Sequence, residues 1–171
     1  MKSFISLFVF VTVAAAAFAQ QSVTYMQYNL LNYGNFTSYC TSSNNNQDAK
    51  DGYLKTILDY IRPDILAVNE VGRSSSNAIR LLDEVLNENT YGVTYKRADI
   101  TNNANSDLIN LFFYNPEKVE LESQEVAQSV LRDINRYRLY AIDENLNRGD
   151  TTFLNCFVAH LKAGSDNDDE E

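Results

Sequence analysis

The stretch that most restricts this chain lies between Ala49 and Glu70. Tyr53, Leu54, Ile57, Leu58 and Ile61 recur at helical spacing, which predicts an amphipathic helix over 49–61. Pro63 cannot continue a helix, and Arg62-Pro63-Asp64 turns the chain. Ile65-Leu66-Ala67-Val68 then follows without a polar residue and ends in Asn69-Glu70. An apolar run that short, bounded by a turn, reads as a strand buried on both faces. Helix, tight turn and covered strand together make an α/β unit.

The flanking segments fit that class. Residues 22–31 (SVTYMQYNLL) are rich in β-formers and predict a strand ending near Asn29. The polar stretch 32–48, with Asn44-Asn45-Asn46, reads as a solvated surface loop. Ser74-Ser75-Ser76 offers caps for a second helix, built on Ala78, Ile79, Leu81, Leu82, Val85 and Leu86 and closing around Asn89. Residues 93–98 suit an edge strand. The strongest strand is 108–114 (LINLFFY), turned by Asn115-Pro116-Glu117 into another from Val119 onward. Residues 138–143 and 152–161 are two more, joined by a hairpin-like link over 144–150.

The first 19 residues form a separate object. Lys2, the apolar run 4–18 and the Ala17-Phe18-Ala19 end have the layout of a secretory signal peptide, with cleavage expected after Ala19. The apolar run is too short for a bilayer span. Residues 20–171 are then one domain by length, exported to a secreted or periplasmic location. Export leaves open a disulfide between Cys40 and Cys156, the only two cysteines. It also makes Asn35-Phe36-Thr37 a glycosylation site if the secretory route is eukaryotic. At the other end, Ser165 followed by acids reads as a capping box that announces a helix, so a truncated chain is expected.

Charge narrows the function. With 14 Lys+Arg against 23 Asp+Glu, the net charge is −9, which disfavours sequence-blind coating of nucleic acid. It leaves room for an enzyme in which a metal supplies positive charge locally. Three polar residues stand at the ends of apolar strands: Asn29, Glu70 and His160. Taken alone, a rim glutamate more often pairs with a lysine, and a lone histidine on an apolar strand is more often a satisfied core residue. Yet Glu70 is also a sensible first ligand for Mg²⁺, and His160 can move a proton near neutral pH. There is no G-x-S-x-G, no Walker A loop, no G-x-G-x-x-G and no H-E-x-x-H in the sequence. Metal-assisted hydrolysis is the enzyme class that remains compatible.

Four stretches, in order, resemble the endonuclease/exonuclease/phosphatase family, which includes deoxyribonuclease I-like nucleases and neutral sphingomyelinases. They are Tyr28-Asn29-Leu30-Leu31, the run from Arg62-Pro63-Asp64 to Asn69-Glu70, the run from Leu111 to Val119, which resembles the family's next hairpin, and Ala159-His160-Leu161-Lys162-Ala163-Gly164. The resemblance implies the N-terminal half of a four-layer α/β/β/α sandwich. It implies Glu70 and Asn29 as holders of Mg²⁺ (or Mn²⁺ or Ca²⁺) and His160 as the active-site group against the phosphate. It implies a phosphoester substrate: DNA, RNA, a phospholipid headgroup or a sugar phosphate. Two departures stand out. Asn69 replaces the family's glutamine before the glutamate, and the nearest acid to a carboxylate that would orient the histidine is Asp107. The family's G-D-x-N strand and final D-H pair do not occur here, so the chain is expected to be inactive by itself. The other reading is a non-catalytic secreted binding or adhesion module on the same scaffold.

Overall fold

A computed structural model describes residues 22–144, 146 and 149–161. The leader segment and the acidic tail with its expected helix lie outside these residues. The element order is β1 (Tyr25–Tyr33), α1 (Gln47–Ile61), β2 (Ile65–Gly72), α2 (Ser75–Arg80), β3 (Lys96–Arg97), β4 (Leu108–Tyr114), β5 (Val119–Ser129), β6 (Asp133–Ala141) and β7 (Phe153–Val158). One sheet has the order β1-β2-β4-β3 and the other β5-β6-β7. β1 and β2 run parallel across α1, while β4 lies antiparallel to β2. No helix among the described residues is long and apolar enough to cross a membrane.

Strand alternation sorts the core into two layers. Leu66, Val68, Ile109, Leu111 and Phe113 face Leu54 and Leu58 of α1, and Leu81, Val85 and Leu86 behind α2. Ile65, Ala67, Phe112 and Tyr114 face Val119, Tyr137, Leu139 and Val158 of the second sheet. Both faces of β2 and β4 are therefore covered, which explains their unbroken apolar character. Phe112 and Tyr137 stack across the two sheets at 4.1 Å. Helices, sheet and sheet supply three of the four expected layers among the described residues. Between the sheets, the edges of β1 and β7 leave a groove of about 390 Å³ lined by Val23, Tyr25, Leu154 and Cys156.

Several expectations change, each for a local reason. The loop asparagines are structural: Asn46 caps α1 through Ala49 N–H at 2.8 Å, and buried Asn45 donates to Asn32 O at 2.8 Å. The second helix begins at its Ser74 cap and continues as a π-helical turn over Leu81–Leu86, where Asn87 N–H bonds Leu82 O. Asn115-Pro116-Glu117 makes no hairpin, because β4 and β5 belong to different sheets. Asn115 N–H donates to Asp64 O at 2.7 Å, so the turn closes against the start of β2 and sends the chain across to the second sheet. β6 begins at Asp133, earlier than expected, because inward-facing Asp133 and Asn135 interrupt the apolar alternation that marks a strand.

Candidate functional site

Two bulges converge on Glu70. On β1 the register passes from Asn29↔Asn69 to Tyr33↔Val71, and on β2 against β4 from Val68↔Leu111 to Val71↔Ile109. Leu31, Asn32 and Glu70 have φ of 47°, 57° and 58°, a left-handed conformation that costs a side-chain-bearing residue about 1 kcal/mol or more. Glu70 is the extra residue of β2. Alternation resumes at Val71 on the helix side, so Glu70 stands outside the alternation of both faces, at the bulge.

There its carboxylate meets Asn29, which lies within β1 before the bulge and not at the strand's end as expected, and His160, which follows β7. Glu70 Oε1 accepts from Asn29 Nδ2 at 3.0 Å and lies 3.2 Å from His160 Nε2, and Oε2 accepts from Asn32 N–H at 3.1 Å. Asn29 Oδ1 is in turn fixed by Leu31 N–H at 2.8 Å. Among the described residues no lysine pairs with Glu70 as it would with a plain rim residue. Lys50 donates instead to Leu30 O and Leu31 O at 2.9 and 2.6 Å. Burial lowers its pKa, and the nearby Cys40 and Glu70 partly offset that. These bonds tie the strained bulge of β1 to α1.

Below the pair lies a layer of buried amides at the end of the sandwich interior. Asn69, Asn110 and Asn135 each sit two positions along from Ala67, Phe112 and Tyr137 of the apolar layer. Gln27 Nε2 donates to Asn69 Oδ1 at 3.0 Å, Asn69 Nδ2 to Asn110 Oδ1 at 2.8 Å, and Asn110 Nδ2 to Asn135 Oδ1 at 3.0 Å. Asn135 Nδ2 ends the chain on Thr101 Oγ1 at 2.6 Å. Asn69, opposite β1 and close to β4, thus fills its space through Asn110. Asn110 and Asn135 were missed in the sequence because each looks like a polar fault in an otherwise apolar or charged strand. Their common level is the signal, and it appears only once the register is known.

Asp107 does not join the site. It is exposed before β4, its carbonyl accepts Arg73 N–H at 3.1 Å, and its carboxylate lies 3.8 Å from Arg73. The carboxylate beside His160 is Glu70 itself. Cys40 and Cys156 are free thiols, so the disulfide left open by the sequence is not formed. Cys40 lies in the loop after β1, and Cys156 faces the groove between the sheets, where burial raises its pKa. Asn35 of the sequon donates its side-chain amide to Asn32 Oδ1 at 2.8 Å. No cluster of three or more His, Cys, Asp or Glu suited to a metal occurs among the described residues. Glu70 has about four acceptor positions and uses three, so the donor set suits a hard cation that takes one protein carboxylate and keeps its water.

No protein-family model matches the sequence, and no curated protein matches it. The fold does have counterparts among solved structures. A functionally unknown conserved protein from Enterococcus faecalis V583 superposes with a TM-score of 0.51 at 11% identity, covering 81% of this chain and 53% of that one. An endonuclease/exonuclease/phosphatase family protein from Bacteroides thetaiotaomicron superposes with a TM-score of 0.50 at 12% identity, covering 79% of this chain and 48% of that one. At such identities the likeness is one of fold. Across about half the length of those structures, this chain has the fold of the endonuclease/exonuclease/phosphatase family.

Proposed function

We propose that the chain carries the carboxylate–imidazole part of a metal-dependent phosphoester hydrolase, exported to a secreted or periplasmic location. The observation that supports this most is the meeting of Glu70 and His160 at 3.2 Å, at the same end of β2 and β7. Glu70 would hold Mg²⁺ (or Mn²⁺ or Ca²⁺) with help from Asn29, and the ion would supply charge neutralisation of the phosphate. Asn29 and the main-chain N–H of Asn32 keep the Glu70 carboxylate oriented. His160 donates a hydrogen bond or a proton to a non-bridging phosphate oxygen. DNA, RNA, a phospholipid headgroup and a sugar phosphate all present that group. With a net charge of −9, attraction for it would come from the site and not from the surface at large.

Mn²⁺ titration followed by water-proton relaxation, with and without inorganic phosphate, tests this reading. Glu70→Gln should weaken Mn²⁺ binding by about tenfold or more, while His160→Ala should spare the metal and lose metal-dependent phosphate binding. Mn²⁺ binding unchanged in Glu70→Gln would overturn the assignment. Failure of the wild-type chain to bind Mn²⁺ would favour the non-catalytic module.

A further inference from the structure

The ladder between β6 and β7 ends at the pair Asn135↔Val158, yet the chain continues in a defined course to His160. Its backbone carbonyls beyond that point need other partners. Val158 O accepts from Asn110 Nδ2 at 3.3 Å, and Ala159 O from Asn69 Nδ2 at 3.3 Å. His160 O and Leu161 O accept from Arg132 Nη1 at 3.1 and 3.2 Å. Four successive carbonyls are thus taken by side chains from β4, from β2 and from the turn between β5 and β6. Asn69 and Asn110 are 4% and 6% exposed, so their amides face little competition from water.

We propose that Asn69, Asn110 and Arg132 are positioning residues that together form a seat for residues 158–161 and thereby hold the His160 ring against Glu70. Asn69 is the pivot. It precedes Glu70 on β2 and grips the carbonyl that precedes His160, so adjacent residues of one strand fix both the backbone and the ring of the other. The first sheet sets the place of a residue that follows the second. The contact with Glu70 that depends on this seat is a 3.2 Å approach, and a shift of about 1 Å would remove it.

The inference rests on Glu70 and His160 being the functional pair, but its test reads geometry and needs no turnover. His160 is the only histidine, so histidine-specific ¹³C labelling yields one set of ring signals. At one fixed pH, Glu70→Gln should shift those signals in the wild-type background. In Asn69→Leu the same replacement should produce less than about half of that shift, because the ring no longer lies against residue 70. Leu58→Ala, which destabilises the helix-side core away from the seat, should leave the full shift in place. A full shift in folded Asn69→Leu overturns the proposal, as does an equal loss in Leu58→Ala. If Asn69→Leu fails to fold, replacing half-buried Arg132 decides: a reduced shift in Arg132→Ala supports the seat and a full one overturns it. A chain that binds no metal yet shows the Asn69-dependent shift would sink the functional reading and leave the seat standing.

Discussion

Replacing Asn110 by leucine probes the amide layer most directly. Leucine branches at Cγ as asparagine does, so the shape is largely kept and the loss is mainly polar. The Asn110 amide accepts from Asn69 at 2.8 Å and donates to Asp133 O at 2.8 Å, to Asn135 Oδ1 at 3.0 Å and to Val158 O at 3.3 Å. With leucine there, Asn135 Oδ1, Asp133 O and Val158 O lose this donor inside the sandwich, at about 1–3 kcal/mol for each buried group left unsatisfied. Asn69 keeps its bond to Ala159 O, and the new methyl groups return about 1.5 kcal/mol. The net cost should be about 1.5–7.5 kcal/mol, a large share of a domain stability of about 5–15 kcal/mol. Equilibrium urea unfolding at constant m-value measures it. The double replacement Asn110→Leu with Asn135→Leu should cost less than the two single changes together, because it removes both ends of one bond. A single-variant cost below about 1 kcal/mol, or strict additivity in the double variant, would refute the idea that these amides are held in a connected, dry layer.

Other outcomes follow from the same geometry. At Gly34 (φ +63°) an added Cβ would stand 2.1 Å from Asn77 Oδ1, whereas at Gly92 (φ +77°) it would meet nothing within 4 Å. Thermal unfolding should therefore show Gly34→Ala costing about 2–4 kcal/mol and Gly92→Ala only the backbone strain of about 1 kcal/mol. Burial pushes the Tyr25 and Tyr114 hydroxyls up to about 12, and those of Tyr33, Tyr95 and Tyr137 higher still. Between pH 10 and 12 the unfolded chain loses tyrosine protons that the folded one keeps, so stability should fall as pH rises through that window. Denaturant midpoints at a series of alkaline pH values, alongside tyrosinate absorbance, check the sign. This chain alone should leave plasmid DNA intact in Mg²⁺, since the described residues bring one carboxylate and one imidazole to the strand ends and no second carboxylate to hold an attacking water. Nicking that disappears in His160→Ala would contradict that expectation.

Much of the fold was legible because local rules acted alone. Pro63 and the apolar run behind it mark the α1–β2 unit, and residues 108–114 matched β4 because both of its faces are covered. The Asn115-Pro116 turn was legible as a turn but not as a corner, since only the bond to Asp64 O shows which way the chain leaves. The start of β6 was hidden because strand reading looks for apolar alternation, and its inward positions begin with Asp133 and Asn135. Asp107 was chosen for its nearness in sequence to a strand, and it faces Arg73.

The sequence by itself marked Asn29, Glu70 and His160 as the polar residues at which apolar runs stop. In the structure β1 runs on past Asn29 to Tyr33 and β2 past Glu70 to Gly72, while His160 follows the end of β7. The sequence could not decide that the three residues meet, because that depends on strand order and register across two sheets. Nor could it show that Glu70 is the bulged residue, turned out of the alternation by a left-handed backbone that a glutamate does not advertise. The seat under His160 is tertiary altogether: its amides and guanidinium come from three separate segments, and they gain a role only where the β6–β7 ladder stops and leaves carbonyls to be met.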